Sequence, residues 1–225
     1  MIDLNCDMGE LPDAQHEAAL MEHITSANIA CGGHAGDDHT MERTVRLALD
    51  RGVRIGAHPG YPDPANFGRI EIAMRPAEIA ATVHQQIARL ELIVHRLGGT
   101  IVHVKPHGAL YNVAVKNAEV ARAIADGVAR WNPRTIVFGL AGSAMLTIWR
   151  DMGLTVWGEA FADRRYEPDG TLRSRKFPDA LITDPAEAAA QAARLAAEGN
   201  ARTICVHGDT PGAVEILKAC RAALQ

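Results

Sequence analysis

The chain is poor in aromatic residues and has no long apolar segment. Only 4% of its 225 residues are Phe, Trp or Tyr, so it has few of the side chains on which bases and sugars stack. No apolar run approaches the roughly 18 residues that a membrane-spanning helix requires. The net charge is −4 and no basic stripe is present, which disfavours a nucleic-acid partner. We therefore expect no membrane-bound and no nucleic-acid-bound form.

Several short motifs are missing as well. The four cysteines form no CxxC pair, which disfavours a structural zinc site and a thioredoxin-like motif. No G-x-x-x-x-G-K-[ST] segment is present, so the chain lacks a P-loop for nucleotide phosphates. Asp3, Asn5 and Asp7 occupy the N-terminus, where a secretory signal would need an apolar run. These features predict a cytoplasmic protein.

Two hydrophobic periods alternate along the sequence, and no change in composition divides it. Strands are predicted at 2–6, 24–30, 53–57, 101–105, 135–139, 154–158 and 203–206, with 180–182 as an optional eighth. Helices are predicted at 37–52, 76–97, 117–131, 143–152, 184–198 and 210–224. Short β-rich runs followed by helical spacing indicate parallel strands with helical crossovers. We expect one α/β domain over 1–225, an irregular seven- to eight-stranded β/α barrel, with an open doubly wound sheet as the alternative.

Ionisable side chains stand at the ends of these predicted strands. Asp7 and His58 follow the first and third, Lys105 ends the fourth and His107 comes just after it, and Glu159 follows the sixth. The last strand leads into His207 and Asp209. Because the C-terminal ends of parallel strands share one face, these groups are predicted to converge in a single pocket. Such a gathering of Lys, His and carboxylates is typical of an enzyme.

The fourth strand carries the most specific pattern. His103, Lys105 and His107 alternate, so their side chains point to one side of an extended chain. A lysine buried beside histidines suits an anionic or carbonyl substrate, although a hydrogen-bonded interior network is the alternative. Asp7, His58 and His107 could hold a divalent metal such as zinc, manganese or magnesium. Without a metal, the same groups would act as acid and base.

Two loops and one turn add further candidates. His34 lies in a glycine-rich turn that should leave it accessible, and Asp37 or Asp38 can cap the helix that follows. Long polar loops run from 58 to 69 and from 161 to 179, and they contain Arg69 and Arg164. Loops of this length in compact domains are often functional lids.

Long motifs in the chain resemble those of the LamB/YcsF family. The segments are DLNCDMGE (3–10), SANIACGGHAGD (26–37), IGAHPGYPD (55–63), VKPHGALYN (104–112), FADR (161–164) and CVHGDTPGA (205–213). The resemblance implies a barrel of the glycoside hydrolase/deacetylase type. It also implies 5-oxoprolinase chemistry, in which ATP hydrolysis drives opening of 5-oxo-L-proline to L-glutamate with partner subunits B and C.

The resemblance and the strand-end pattern together define the expected site. The catalytic candidates are Asp7, Lys105, His107, His207 and Asp209. The substrate-binding candidates are His34, Asp37, His58, Arg69, Glu159 and Arg164. A metal-dependent amidase or deacetylase that acts on a small N-acyl substrate without ATP is an alternative, and a non-catalytic scaffold protein is another. Association into a homodimer stays open.

Overall fold

The computed structural model describes residues 2–225, over which seven parallel strands alternate with eight α-helices. The strands are β1 (Asp3–Met8), β2 (Ser26–Ala30), β3 (Arg54–His58), β4 (Ile101–Val104), β5 (Ile136–Leu140), β6 (Thr155–Phe161) and β7 (Thr203–Cys205). The helices are α1 (Ala14–Met21), α2 (Asp38–Asp50), α3 (Pro76–Arg96), α4 (Gly108–Lys116), α5 (Ala118–Trp131), α6 (Ala144–Asp151), α7 (Pro185–Ala197) and α8 (Ala213–Ala223). Neighbouring strands pair in chain order, and β1 pairs with β7 to close the barrel.

The predicted barrel is confirmed, and it has seven strands. The optional eighth strand at 180–182 is wrong: Leu181 makes only an isolated antiparallel bridge with Arg164. Ala180 and Ile182 are buried against the barrel, which explains the apolar pattern without sheet pairing. The short helices α1 and α4 have no counterpart among the predicted ones. Asp13 caps α1 by accepting hydrogen bonds from the first turn, a signal that the apolar period alone does not show.

The inside of the barrel is polar along β1. Asp3, Asn5 and Asp7 are all buried, because alternate residues of a barrel strand point inward. Asn28 of β2 donates to Asn5 at 2.7 Å and to Asp7 at 2.9 Å. The Nε2 of His103 in β4 lies 2.8 Å from Asn28 Oδ1, so this nitrogen is the donor. This chain of hydrogen bonds fixes the orientation of the Asp7 carboxylate.

The His103 ring fits against the neighbouring strand because Gly56 has no side chain. A Cβ placed on Gly56 of the neighbouring strand would lie 2.0 Å from the His103 Nε2. The ring also stacks on Phe138, with centroids 4.2 Å apart. Burial lowers the pKa of His103 to about 3, so this histidine is neutral and acts as a structural donor.

The helices cover the barrel with apolar faces. Asp37 caps α2 and accepts a hydrogen bond from the Thr40 amide, as its sequence context predicts. Helices α3 and α5 approach closely at Gly127, where a Cβ would lie 2.6 Å from the Ala80 carbonyl oxygen. Within residues 2–225, no helix combines the length and apolar character needed to span a bilayer.

We predict that Gly127→Ala lowers the free energy of unfolding. Alanine favours a helix by about 1 kcal/mol over glycine, but its methyl group would meet the Ala80 carbonyl at 2.6 Å and Val83 at 2.9 Å. Overpacking of this kind costs about 1–3 kcal/mol, so the clash should outweigh the helix propensity. Urea unfolding measures the difference. Asp126→Ala, at the exposed neighbouring position, is the control and should unfold no earlier than the native chain.

Candidate functional site

A cavity of about 490 Å³ opens at the C-terminal ends of the strands. The predicted site residues that line it are Asp7, His58, Arg69, Lys105, His107, Arg164 and His207. Residues 171–176 of the second long loop also line the cavity, so this loop forms part of its wall. Five of the seven predicted strand-end groups therefore line one cavity, and Glu159 and Asp209 do not.

Lys105 lies at the centre of the charged groups. Its Nζ is 2.8 Å from Asp7 Oδ1, 3.1 Å from Glu159 Oε1 and 3.1 Å from Cys205 Sγ. Burial by itself would lower the pKa of Lys105, but the Asp7 carboxylate and its other neighbours hold that pKa well above the usual value. The ammonium is therefore charged at neutral pH, and it is the shared counterion of two buried carboxylates.

The Asp7 carboxylate is held ionised by its surroundings. Burial opposes ionisation, yet the nearby His58 and Lys105 lower the pKa of Asp7 well below its usual value. The second oxygen, Oδ2, lies 3.3 Å from His58 Nε2. Asp7 thus accepts from Asn28 and Lys105 on one oxygen and faces His58 with the other. A carboxylate with so low a pKa is a good electrostatic anchor and a weak base.

The tautomers of His58 and His107 follow from their carbonyl partners. His58 Nδ1 donates to the Lys105 carbonyl at 2.7 Å, and His107 Nε2 donates to the Phe67 carbonyl at 2.9 Å. The two remaining ring nitrogens face each other at 2.9 Å. If both rings are neutral, two lone pairs point at one another, which is unfavourable. A cation, either a proton or a metal ion, relieves this contact.

Glu10 completes this group, although it is not among the predicted site residues. Its Oε1 lies 2.8 Å from His34 Nε2, 3.2 Å from His107 Nδ1 and 3.6 Å from His58 Nε2. Gly9 precedes it with a φ of +72°, which turns the chain after β1 so that Glu10 reaches the histidines. The only sequence signal is the position of Glu10 at the end of the DLNCDMGE motif.

Two groups of side chains have metal-ligand spacing among residues 2–225. Glu10, His34, His58 and His107 form one, and Asp7, Cys205 and His207 form the other, with the ligand atoms of each group within 4.8 Å of one another. The set expected from the sequence combines Asp7 with His58 and His107. The structure instead groups Glu10 with these two histidines. Nitrogen and oxygen donors of this kind fit zinc or another divalent transition metal.

His207 is oriented by a buried acid that the sequence prediction also misses. Asp163 Oδ2 accepts from the His207 amide at 3.0 Å and lies 3.1 Å from His207 Nδ1, and the Thr210 hydroxyl donates to the same oxygen. Burial would raise the pKa of Asp163, but His207 and these hydrogen bonds lower it to about 2. His207 Nδ1 is therefore the donor, which leaves Nε2 free to accept a proton. Asp163 lies within the FADR motif, which is its one sequence signal.

Four predicted residues, His34, Asp37, Glu159 and Asp209, are absent from the cavity lining. His34 is 1% exposed and stacks on His107 with ring centroids 3.5 Å apart, so the expectation that its glycine-rich turn leaves it accessible is wrong. Burial lowers the pKa of His34 to about 4. Glu159 is fully buried beside Lys105. Asp37 is exposed at the N-cap of α2, away from the cavity lining.

Asp209 joins the two long loops by pairing with arginines that line the cavity. Its carboxylate binds Arg69 from the first loop and Arg175 from the second, the latter at 2.9 Å and 3.1 Å. Burial would raise the pKa of Asp209, but Arg175 and Arg69 hold it below the usual value. The structure therefore places Asp209 as the counterion of two arginines that line the cavity.

The fold and this site define a β/α-barrel protein with an enzyme-like centre of buried charge at the strand ends. The model of the LamB/YcsF family matches residues 2–225, and the chain belongs to this family. Asp7, Glu10, Asp163, Lys105 and the histidines at 34, 58, 107 and 207 lie in the segments that carry the family motifs, and Glu159 lies outside them.

Curated relatives and solved structures agree with this assignment. A protein of Chloroflexus aggregans, named as the A component of 5-oxoprolinase, is 48% identical, covering 100% of this chain and 95% of its own length. A Methylococcus capsulatus protein of the same name is 46% identical, covering 99% and 92%. The crystal structure of a lactam utilization protein from Thermus thermophilus has a TM-score of 0.91 at 41% identity, covering 99% and 95%. A Chromobacterium violaceum chitinase, 11% identical with a TM-score of 0.52 over 100% and 99% of the two chains, shares the fold.

We predict that Asp163→Asn destabilises the folded chain by about 2 kcal/mol at pH 7, because the pKa of Asp163 falls from its reference value of 3.8 to about 2 on folding. A lowered pKa stabilises the protein above the unfolded-state pKa near 4. That stabilisation disappears as the pH falls through about 2. Urea unfolding at pH 7, 5 and 3 should show the full difference at the two higher values and a smaller one at pH 3.

Asp50→Asn, at an exposed position of α2, is the matched control. It should leave stability unchanged within about 0.5 kcal/mol at each pH. A difference between Asp163→Asn and the native chain that stays constant down to pH 3 would contradict the lowered pKa of Asp163.

Proposed function

We propose that this chain is the lactam-opening component of a 5-oxoprolinase, which hydrolyses 5-oxo-L-proline to L-glutamate in an ATP-dependent complex with subunits B and C in the cytoplasm. The observation that carries the proposal is the buried Asp7–Lys105 ion pair in a cavity that His207 also lines. The names of the relatives support the choice of substrate, since they are named as a component of 5-oxoprolinase.

A lactam is a stable amide, so its carbonyl carbon needs activation before water can attack it. Transfer of a phosphoryl group from ATP to the lactam oxygen would make that carbon a stronger electrophile. This chain has no P-loop, and we assign the transfer to a partner protein of the complex. Water then adds to the carbonyl carbon, the ring C–N bond breaks, and the departing nitrogen takes a proton. The acyl phosphate that results is hydrolysed by a second water to glutamate and inorganic phosphate.

Lys105 is placed to stabilise the negative charge that develops on oxygen during this step. Its ammonium is desolvated and held by Asp7 and Glu159, so no reorganisation is needed as the charge forms. Fixed donors of this kind are commonly worth a few kcal/mol of transition-state stabilisation. Asp7 orients Lys105 and the attacking water, and Glu159, which lies outside the cavity lining, positions Lys105.

His207 is the best candidate for proton transfer. Asp163 accepts from its Nδ1, so Nε2 is free to take a proton from water and to return it to the departing nitrogen. We assign Asp209 to positioning, because it is already paired with Arg69 and Arg175. The arginines of the wall supply positive charge for an anionic substrate.

The metal-ligand group fits a second role for the histidines. Glu10, His34, His58 and His107 would hold a divalent transition metal, and such an ion supplies Lewis-acid polarisation of a carbonyl or of water. This group also favours one alternative function: a metal-dependent amidase or deacetylase that acts on a small N-acyl substrate without ATP. In either case, His58 and His107 contribute nitrogen atoms whose orientation is fixed by the Lys105 and Phe67 carbonyls.

The proposal predicts loss of glutamate formation when the central ion pair is removed. The chain is mixed with its partner proteins, ATP and 5-oxoproline, and glutamate is measured. Lys105→Ala/Asp7→Ala and His207→Asn should each reduce the rate by about 10²-fold or more. Lys218→Ala, at an exposed position of α8, should retain the full rate. Circular dichroism verifies that each variant is folded.

Other results would favour the alternatives. Full activity of the folded double variant would identify the chain as a non-catalytic scaffold. Turnover of a small N-acyl substrate without ATP or partners would favour the metal-dependent amidase. Glutamate formation that requires ATP and the whole complex, and that fails in both variants, supports the proposal.

We predict that the purified chain contains close to one equivalent of a divalent transition metal by elemental analysis. His58→Ala and Glu10→Gln should each reduce metal retention about tenfold or more, since each removes a donor from the group. His95→Ala, at an exposed position of α3, should retain the metal. A metal content of zero after purification and after incubation with zinc or manganese would exclude the site.

A further inference from the structure

Positive charge on the cavity wall exceeds the negative charge that faces it. Arg69 and Arg175 share the single carboxylate of Asp209. Arg164 lines the same cavity, and among residues 2–225 no carboxylate forms a salt bridge with its guanidinium. The adjacent Asp163 points instead to His207 and Thr210. Arg69 and Arg175 therefore share one carboxylate between them, Arg173 pairs with Glu167 and Asp179, and Arg164 has no carboxylate partner among residues 2–225.

The Arg164 side chain is buried and held in place by a hydrogen bond. The residue is only 5% exposed, and its Nη2 donates to the Arg173 carbonyl at 2.6 Å. Its Nε is buried and, among residues 2–225, has no hydrogen-bond partner. Burial, together with the repulsion of Arg175, lowers the pKa of Arg164 to about 10, so the group is still charged at neutral pH. A buried, charged and unpaired donor is costly unless a ligand binds it.

We propose that Arg164 and Arg175 form a phosphate subsite in the wall of the cavity. Guanidinium groups bind phosphate and carboxylate oxygens in the same forked geometry. The carboxylate of 5-oxoproline brings one negative charge, whereas a phosphoryl group or inorganic phosphate brings nearly two. The surplus of guanidinium groups matches the dianion better. Asp209 keeps Arg175 in place and leaves its remaining donors available.

This inference rests on the proposed function only for the source of the ligand. If the lactam oxygen carries a phosphoryl group when water attacks, the subsite holds that group beside Lys105 and then holds inorganic phosphate after the ring has opened. The substrate would thus be recognised as a phosphorylated lactam, and free 5-oxoproline would leave this subsite empty.

The test is calorimetric titration of the purified chain with inorganic phosphate at constant ionic strength, without partners or nucleotide. We expect saturable binding of one phosphate. Arg164→Gln should weaken it about tenfold or more, because a charged hydrogen bond to a dianion is lost. Arg164→Lys should weaken it less, since the charge is retained and the fork is lost. Arg165→Gln, whose native side chain pairs with Glu187 outside the cavity lining, is the matched control.

Phosphate affinity in Arg164→Gln equal to that of the native chain, or an equal loss in Arg165→Gln, would overturn the proposal. A second titration adds 5-oxoproline first: competitive displacement of phosphate would show that Arg164 belongs to a carboxylate site. If Arg164→Gln is not folded by circular dichroism, Arg164→Lys and Arg175→Gln decide the result, and unchanged affinity in both would refute the subsite. If the isolated chain binds phosphate but the complete complex with ATP does not open the lactam, only the proposed function is refuted. If the complex opens the lactam but the isolated chain does not bind phosphate, only the subsite is refuted.

Discussion

The ammonium of Lys105, buried between Asp7 and Glu159, is the interaction on which the site depends. Taking three charges out of water is expensive, and only their mutual attraction offsets that cost. Removing one partner from such a buried group typically costs about 3–5 kcal/mol, because an unpaired charge stays behind. The barrel can hold these groups because Asn28, itself oriented by His103, donates to the Asp7 oxygen that also accepts from Lys105. The Lys105 ammonium is therefore charged and held in position before any ligand binds.

The histidines are ordered by main-chain carbonyls. The Lys105 carbonyl fixes His58 and the Phe67 carbonyl fixes His107, so both rings direct a bare nitrogen at the same point. Glu10 adds a carboxylate oxygen to that point. Elsewhere in the cavity, Asp163 orients His207. The site thus contains two kinds of imidazole group. His58 and His107 are suited to binding a cation, and His207 is suited to transferring a proton.

Much of the fold could be predicted from the sequence because the hydrophobic spacing typical of strands and that typical of helices are both clear. Strand runs ending in Asp7, His58, Lys105 and His207 indicate the barrel and the convergence of these side chains at one end. The segment 180–182 misleads the prediction, since burial of Ala180 and Ile182 produces the same apolar pattern as a strand. Position in sequence also could not show that Glu10 and Asp163 would reach histidines that lie 24 and 44 residues further along the chain.

By itself, the sequence determined which chemical groups the strand ends would carry and that parallel strands would bring them to one face, because the order of the strands and their alternation are local properties. Only the tertiary structure decided which nitrogen of each histidine is free, that His34 is sealed behind His107, and that the Arg164 Nε has no partner among residues 2–225. These properties depend on distances between side chains from different strands and loops. Such distances are set by the closure of the barrel and by the packing around it, and no local pattern encodes them.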